Sequence, residues 1–468
     1  MKNRVFEIFK EITAIPRGSG NMKQIADFCV AFAIKNSLKY LRDNVDNVII
    51  FKNGTNESTE PIILQAHLDM VCQKTADSTH DFTKNSPEIV VDGDFIRANG
   101  TTLGADNGIG LALILAILES DTLSHPPIEA VFTIDEEIGM IGALALDVSP
   151  LKSKRMINLD SEEDDTVTVS CAGGSEFLFS FPMESENYDG NVIVVTLSGL
   201  KGGHSGVEID RGRVNANALA GRFLNHLYNL SDFRIISLNG GDKSNVISPE
   251  CAITLATSDA EFTVKANEYL SLIKNEISSR EPNFYFNINL DNKAVTAFTK
   301  SLTERIIFTL LNAPNGIIDM SADIEGLVET SLNIGILKTE ENNVKIDFSL
   351  RSNKSSAMKF LEERLISFAN FVKADAKSFG HYPPWEYKPN SKLQEIYVSE
   401  FRKHYGFEPK IEAIHAGLEC GVFDGKLDGL TAISVGPQMY DVHTVNEKLS
   451  VSSTEKFIGL LIKVLQML

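Results

Sequence analysis

Two histidines and five carboxylates stand in short polar stretches that each follow or border an apolar run. They are His67 and Asp69 in QAHLDM, Asp106 in GADNG, the pair Glu136-Glu137 in TIDEEIG, Asp160 in NLDS and His443 in DVHTVNE. Residues two apart on a strand face the same side, so a strand through 62–66 would deliver His67 and Asp69 to one site. There His67 can ligate a metal while Asp69 holds its second ring nitrogen. Two imidazoles with several carboxylates and no thiolate suit Zn2+ or a similar borderline ion, and Co2+ or Mn2+ can use the same ligands. Clustered acids repel one another unless cations sit among them, and one carboxylate can bridge two cations. Two metal ions roughly 3.5 Å apart polarise a carbonyl and bring the pKa of water toward ~7. In extended chain the adjacent Glu136 and Glu137 point to different sides, so one can bind metal while the other carries a proton. Taken singly, each stretch reads as a solvated acidic loop; the ordered set is what points to a metal centre.

These residues need a scaffold that gathers loops onto one rim. Apolar spacing predicts helices over 3–13 and 22–42, strands over 48–52 and 62–66, and a hairpin over 89–96 turning at Asp92-Gly93-Asp94. A very apolar helix over 109–118 follows the GADNG loop, then strands at 129–134 and 156–159 with a short helix at 143–146 between them. This alternation indicates an α/β domain with a mixed sheet, the kind of fold that places sites on loops at strand ends. Near 185–191 the pattern changes to rounds of helices (214–230, 262–279, 303–311, 355–372) and strands (191–197, 246–256, 327–337, 344–350). We read 187–389 as an inserted α+β lid domain whose two rounds of elements suggest an internal duplication, with Pro383-Pro384 and Pro389 at its exit. Residues 1–186 and 390–468 would then form one split catalytic domain, the latter with a helix over 393–405, strands at 410–414 and 430–435, and a terminal helix over 453–468.

Composition narrows the function classes. At 468 residues the chain exceeds one ordinary core. A formal net charge of −19 disfavours nucleic acid and anionic membranes as partners. The N-terminal stretch has charges among its apolar residues, unlike a signal peptide, and no apolar run is long enough to span a bilayer. The five cysteines are an odd number without paired spacing, as expected of reduced thiols in the cytoplasm; Cys72 and Cys420 border candidate site residues but are not taken as ligands.

HLDMV, GADNGIG, DEEIG, NLD, GGHSG and HTVNE, in this order, resemble the M20 clan of dinuclear zinc peptidases. HLDMVCQK, LKGGHSGVEI and HAGLECG resemble, more narrowly, the aminoacyl-histidine dipeptidases. The resemblance spans nearly the whole chain and implies a zinc-exopeptidase-like catalytic domain with an inserted lid. It implies two Zn2+ per subunit, one held by His67 and Asp160, the other by Glu137 and His443, with Asp106 bridging. Asp69 would orient His67, and Glu136 would take a proton from the attacking water and return it to the leaving amine. His204 in GGHSG would donate to the tetrahedral oxyanion, either within its own chain or across a homodimer. Asn245 and Arg351 would bind substrate, Arg351 gripping a terminal carboxylate with two prongs. His415 completes the set, and Glu419 would meet a free amine or hydrogen-bond the scaffold. The implied activity is hydrolysis of short peptides, above all Xaa-His dipeptides. The alternatives are another M20-type amidohydrolase or a catalytically silent metal-binding protein, against which the retained Glu136 argues.

Overall fold

A computed structural model describes residues 1–389 and 391–468, with the backbone alone for 292–295. The expected start of the third segment, residue 390, lies outside the described residues. The chain divides into two compact units. One comprises 1–171, 387–413 and 418–468; the other comprises 172–386 and 414–417.

The first unit is built on an eight-stranded mixed sheet. Its order is Lys39–Arg42, Val48–Lys52, Ile128–Thr133, Ile62–His67, Arg155–Asn158, Thr431–Ser434, Thr166–Cys171 and Lys410–Ile414. Ile62–His67 lies at the centre, parallel to both neighbours. It is buried at every position, as is Ile128–Thr133. Strands covered on both faces read as continuous apolar runs rather than alternating ones, which is why IIL and AVF stood out in the sequence. The helix Ala105–Glu119 is buried nearly all round, so its apolar residues show no polar face. A separate four-stranded sheet contains the expected hairpin as Ile89–Asp92 with Phe95–Ala98, joined by Lys448–Ser450 and Met439–Tyr440.

One expected helix is shorter than its apolar spacing suggested. It runs Lys23–Lys35 and stops at Asn36-Ser37, with Ser37 at φ 55. Lys39–Arg42 then forms an edge strand antiparallel to Val48–Phe51. Tertiary pairing overrides local helical spacing there. Among the described residues no helix is long and apolar enough to cross a membrane. Among the described residues no cysteine forms a disulfide.

The second unit carries a nine-stranded antiparallel sheet. Its main path runs Tyr285–Phe298, Ser185–Ser198, Cys251–Thr257, Phe233–Gly240, Val328–Thr339, Asn343–Ser352, Gly173–Pro182 and Asp375–Tyr382; Gly316–Met320 pairs with Val328–Thr339 off this path. Four helices, Ala216–Tyr228, Phe262–Ile277, Lys300–Asn312 and Ser355–Val372, share one apolar core with it. The unit opens at Ala172, upstream of residue 187, because Gly173–Pro182 pairs along its full length with Asn343–Ser352. The strand expected over 246–256 is broken at Ser248-Pro249. Val246–Ile247 pairs with Gly203–His204, and Cys251–Thr257 joins the large sheet. Proline lacks the N–H that a ladder needs.

Candidate active site

Three parallel strands end side by side in the first unit. His67 pairs with Thr133, and Gln65 with Asn158. The ladder continues one residue further, with Leu68 N donating to Thr133 O at 2.7 Å and Leu159 N to Gln65 O at 2.9 Å. Residues 67–69, 135–137 and 160 therefore emerge on one rim, the place where α/β sheets assemble sites.

Asp106 sits at the middle of this rim and uses its two oxygens differently. Oδ1 lies 3.0 Å from His67 Nε2, and Oδ2 lies 3.0 Å from His443 Nε2. His67 Nε2 is also 3.2 Å from Asp160 Oδ1, and His443 Nε2 is 2.9 Å from Glu137 Oε1. The carboxylate thus joins two histidine–carboxylate pairs. Donor atoms of His67, Asp106 and Glu137 lie within 4.8 Å of one another, so Asp106 is close to a donor of each pair.

The charges fit cations. Burial works against a charged His67, yet Asp160, Asp106 and Asp69 outweigh it and hold its pKa well above the ordinary value. His443 rises to about 11 through its contacts with Asp106 and Glu137. Burial opposes ionisation of Asp106, but the two imidazoles hold its carboxyl below the usual range. Burial raises Asp160 to about 6 against the pull of His67. A cluster that demands positive charge, with N and O donors converging, suits a divalent ion of the zinc type.

Glu136 and Glu137 stand side by side, and Asp69 grips both through their backbone N–H groups. Asp69 Oδ1 accepts from Glu136 N at 2.9 Å, and Oδ2 from Glu137 N at 3.2 Å and Ser19 Oγ at 2.8 Å. Its Oδ1 is also 3.3 Å from His67 Nδ1, an ion-pair distance without hydrogen-bond alignment. Asp69 therefore positions the glutamates at least as much as it orients His67, a wider task than the strand-end pattern suggested. Burial, with repulsion from Asp160, Glu419 and Glu137, pushes the Glu136 carboxyl well above the usual range, against the pull of His67.

Two further residues hold the rim, and sequence reasoning missed both. Arg17, 1% exposed, donates through Nη1 to Leu68 O at 3.0 Å and Asp69 O at 2.9 Å, and through Nη2 to Gly104 O. It ties the His67–Asp69 loop to the Asp106 loop. Gly104, at φ 73, is required beside it, because a Cβ there would lie 2.6 Å from Nη2 and 2.7 Å from Met70 Sδ. Glu447 accepts four backbone N–H groups, from Leu103 (2.8 Å), Gly104 (3.0 Å), Ala105 (2.7 Å) and Asp106 (3.3 Å). The E of HTVNE was the available signal for Glu447. Arg17 carried none, since an arginine in a Pro-Gly-Ser stretch reads as a surface turn.

Arg17→Met should leave the carbonyls of Leu68 and Asp69 without their donor, at about 1–3 kcal/mol for each unsatisfied group, and Gly104 O with Gly108 N alone. The expected result is a clear fall in the thermal unfolding midpoint together with weaker metal uptake by equilibrium dialysis. A variant with wild-type values of both would remove Arg17 from this role.

Glu419 lies in the same unit but is fully buried. Its Oε2 accepts from Gln65 Nε2 at 2.5 Å and Thr133 Oγ1 at 2.7 Å, while Oε1 has no hydrogen-bond partner. Burial raises its pKa to about 8, so it is mostly neutral at pH 7.

The remaining candidates gather in the second unit. His204 Nδ1 accepts from Gly206 N at 3.1 Å and Val207 N at 3.2 Å. That places the ring proton on Nε2. Burial and the Arg351 charge lower its pKa, so His204 is a neutral imidazole with a donor N–H. His415 Nε2 meets Ser331 Oγ at 2.7 Å, and its Nδ1 meets Asn353 Oδ1 at 3.3 Å. Burial, Arg351 and His204 lower His415 to about 3. Arg351, 7% exposed, donates from Nη1 to Tyr382 Oη at 2.9 Å, and its buried Nε has no partner. A Cβ at Gly206 would come within 2.4 Å of His415 O, 2.8 Å of His204 Cε1 and 3.1 Å of Arg351 Nε. The last glycine of GGHSG thus lets these three residues share one place. Asn245 contributes its backbone carbonyl to Ser205 N at 2.9 Å.

The chain is similar to known proteins over nearly its whole length. The chain is 37% identical over 473 residues to the cytosol non-specific dipeptidase of Escherichia coli (strain K12), covering 99% of this chain and 97% of that protein. The crystal structure of aminoacylhistidine dipeptidase from Vibrio alginolyticus superposes with a TM-score of 0.89 at 36% identity, covering 99% of this chain and 96% of that one. Aminopeptidase PepT from Bacillus cereus ATCC 10987, 16% identical with a TM-score of 0.58, covering 100% of this chain and 98% of its own, shares the fold alone. Peptidase family M20/M25/M40 matches residues 63–467. With that match over most of its length, and with its histidines and carboxylates converging on Asp106, the chain belongs to peptidase family M20/M25/M40.

Proposed function

We propose that this protein is a metal-dependent dipeptidase of the cytoplasm, acting on dipeptides and preferring those with a C-terminal histidine. The carrying observation is the Asp106 carboxylate, which presents one oxygen to each of two histidine–carboxylate pairs. In this reading His67 and Asp160 would hold one Zn2+, Glu137 and His443 would hold the other, and Asp106 would serve both; Co2+ or Mn2+ could substitute. When bound, such a pair supplies Lewis acidity and makes water nucleophilic at neutral pH. Glu136 takes the proton from the attacking water and passes it to the leaving amine. Asp69 holds Glu136 and Glu137 in place through the two backbone N–H groups. His204 serves as oxyanion donor, a role that suits a neutral ring with its proton on Nε2. Arg351 takes the substrate carboxylate, with Asn245 and His415 beside it in the binding role. The first unit (1–171, 387–413 and 418–468) acts as the catalytic part and the second (172–386 with 414–417) as a lid. For Glu419, the scaffold bonds to Gln65 and Thr133 favour a supporting role over pairing with a substrate amine.

The names of the two relatives point to different breadths of substrate, one non-specific and one for aminoacyl-histidine. A panel of β-Ala-His, Gly-His, other dipeptides, tripeptides and N-acyl amino acids tests this. Dipeptides alone should be hydrolysed, with Xaa-His giving the highest kcat/KM. Equal kcat/KM across all dipeptides would favour the non-specific reading, and cleavage of tripeptides or N-acyl amino acids alone would overturn the dipeptidase reading. For the anchor, Arg351→Lys should raise KM for free-acid dipeptides by about tenfold or more, the scale of one hydrogen bond to a charged group. KM for the corresponding dipeptide amides should stay unchanged.

A further inference from the structure

Arg351 occupies an unusual position in the second unit. It is nearly buried, its Nε has no partner, and the neutral phenol of Tyr382 is its one side-chain hydrogen-bond contact among the described residues. A buried cation held by a neutral oxygen keeps its charge available for an incoming anion, whereas a resident carboxylate would neutralise it.

The sheet register explains how Tyr382 arrives there. Tyr382 pairs with Gly174, Gly174 with Arg351, and Arg351 with Ser331, forming one row across four adjacent strands. Ser331 in turn contacts His415 Nε2 at 2.7 Å. The row depends on two local features. Between Phe379 and Tyr382 the edge strand shifts register, with Gly380 at φ 65. This brings Tyr382, rather than His381, opposite Gly174. At Gly174 the missing side chain leaves a gap that the tyrosine fills. A Cβ there would lie 2.3 Å from Tyr382 Oη, 2.5 Å from Cζ and 2.7 Å from Cε1. The tyrosine thus lies across the glycine to reach a guanidinium one strand further away than its own neighbour.

We infer that Tyr382, lying across Gly174, is a positioning residue that sets Arg351 for the carboxylate of the substrate and so contributes to selection of free-acid dipeptides. The inference rests on the reading of Arg351 as carboxylate anchor. Tyr382 fixes one prong of the guanidinium without cancelling its charge, so the remaining donors stay directed at the ligand.

The test compares KM and kcat for a dipeptide and its C-terminal amide across a small set of variants of the full-length, metal-loaded enzyme. Tyr382→Phe should raise KM for the free acid about three- to tenfold, the scale of one ordinary hydrogen bond. It should leave kcat and the KM for the amide unchanged. Gly174→Ala should raise the same KM by displacing the ring, and should add nothing further in a Tyr382→Ala background, where the clash is gone. Failure of this inference is distinguishable from failure of the anchor. If Arg351→Lys is selective for the free acid while Tyr382→Phe is not, the inference alone falls. If Arg351→Lys affects acid and amide alike, the anchor reading falls and takes this one with it. If Gly174→Ala costs as much in the Tyr382→Ala background as alone, the glycine does not act through the tyrosine.

Discussion

Glu136→Gln should retain metal and lose nearly all turnover, with kcat falling by roughly 10²–10⁴, the range for removing a general acid–base. The substitution is isosteric and leaves intact the backbone N–H that Asp69 accepts at 2.9 Å. The turn carrying Glu137 therefore keeps its course, and the 2.9 Å contact of Glu137 with His443 should survive. The Glu136 side chain makes no hydrogen bond among the described residues, so its loss removes no structural contact. Its carboxyl is pushed well above the usual range by burial and by neighbouring acids, which is the direction that makes a carboxylate an effective proton carrier near neutral pH. Metal stoichiometry and kcat measured on the same preparation check this. Wild-type-like turnover would remove Glu136 from the mechanism, and loss of metal would show that it acts as a ligand.

Asp106→Ala should be the most damaging change to metal binding. Each oxygen of this carboxylate faces a different imidazole at 3.0 Å, so one truncation disturbs both halves of the centre. The loss in metal affinity should exceed the ~10–100-fold typical of residues that act behind the ligands. Activity should fall with it and should not return when excess Zn2+ is added at levels that restore chelator-treated wild type. Asp106→Asn keeps one oxygen and should fall between the two. If Asp106→Ala bound two equivalents of metal with wild-type affinity, the bridging arrangement would be wrong. Circular dichroism separates this from unfolding. The loop around Asp106 is held independently by Glu447, through four backbone N–H groups, and by Arg17, through Gly104 O.

Much of the site was legible because its chemistry is local. His67, Asp106, Glu136, Glu137 and Asp160 each stand at the end of an apolar run or in a glycine-bounded loop, and His443 stands in the HTVNE stretch. Strands buried on both faces must be apolar throughout, so Ile62–His67 and Ile128–Thr133 announced themselves. Edge and half-exposed strands did not. Asp375–Tyr382 is mostly exposed and reads DAKSFGHY, with no apolar alternation to reveal it. Gly173–Pro182 likewise finds its partner far along the chain, at Asn343–Ser352, and no local pattern encodes such pairing.

The amino-acid sequence by itself determined which donors are available, their order, and the alternation of elements that brings strand ends to a common rim. Those properties reside in residue type and short-range periodicity. The resemblance already implied how the donors divide around Asp106; only the tertiary structure decided that Asp69 accepts from the backbone of two glutamates as well as facing one imidazole. It also decided that Arg17 and Glu447 hold the loops, and that Tyr382 reaches Arg351 across Gly174. The physical reason is the same in each case. A buried polar group must find its partner wherever the fold supplies one, and sheet register, set by bulges and by close approach at glycines, selects that partner from across the chain.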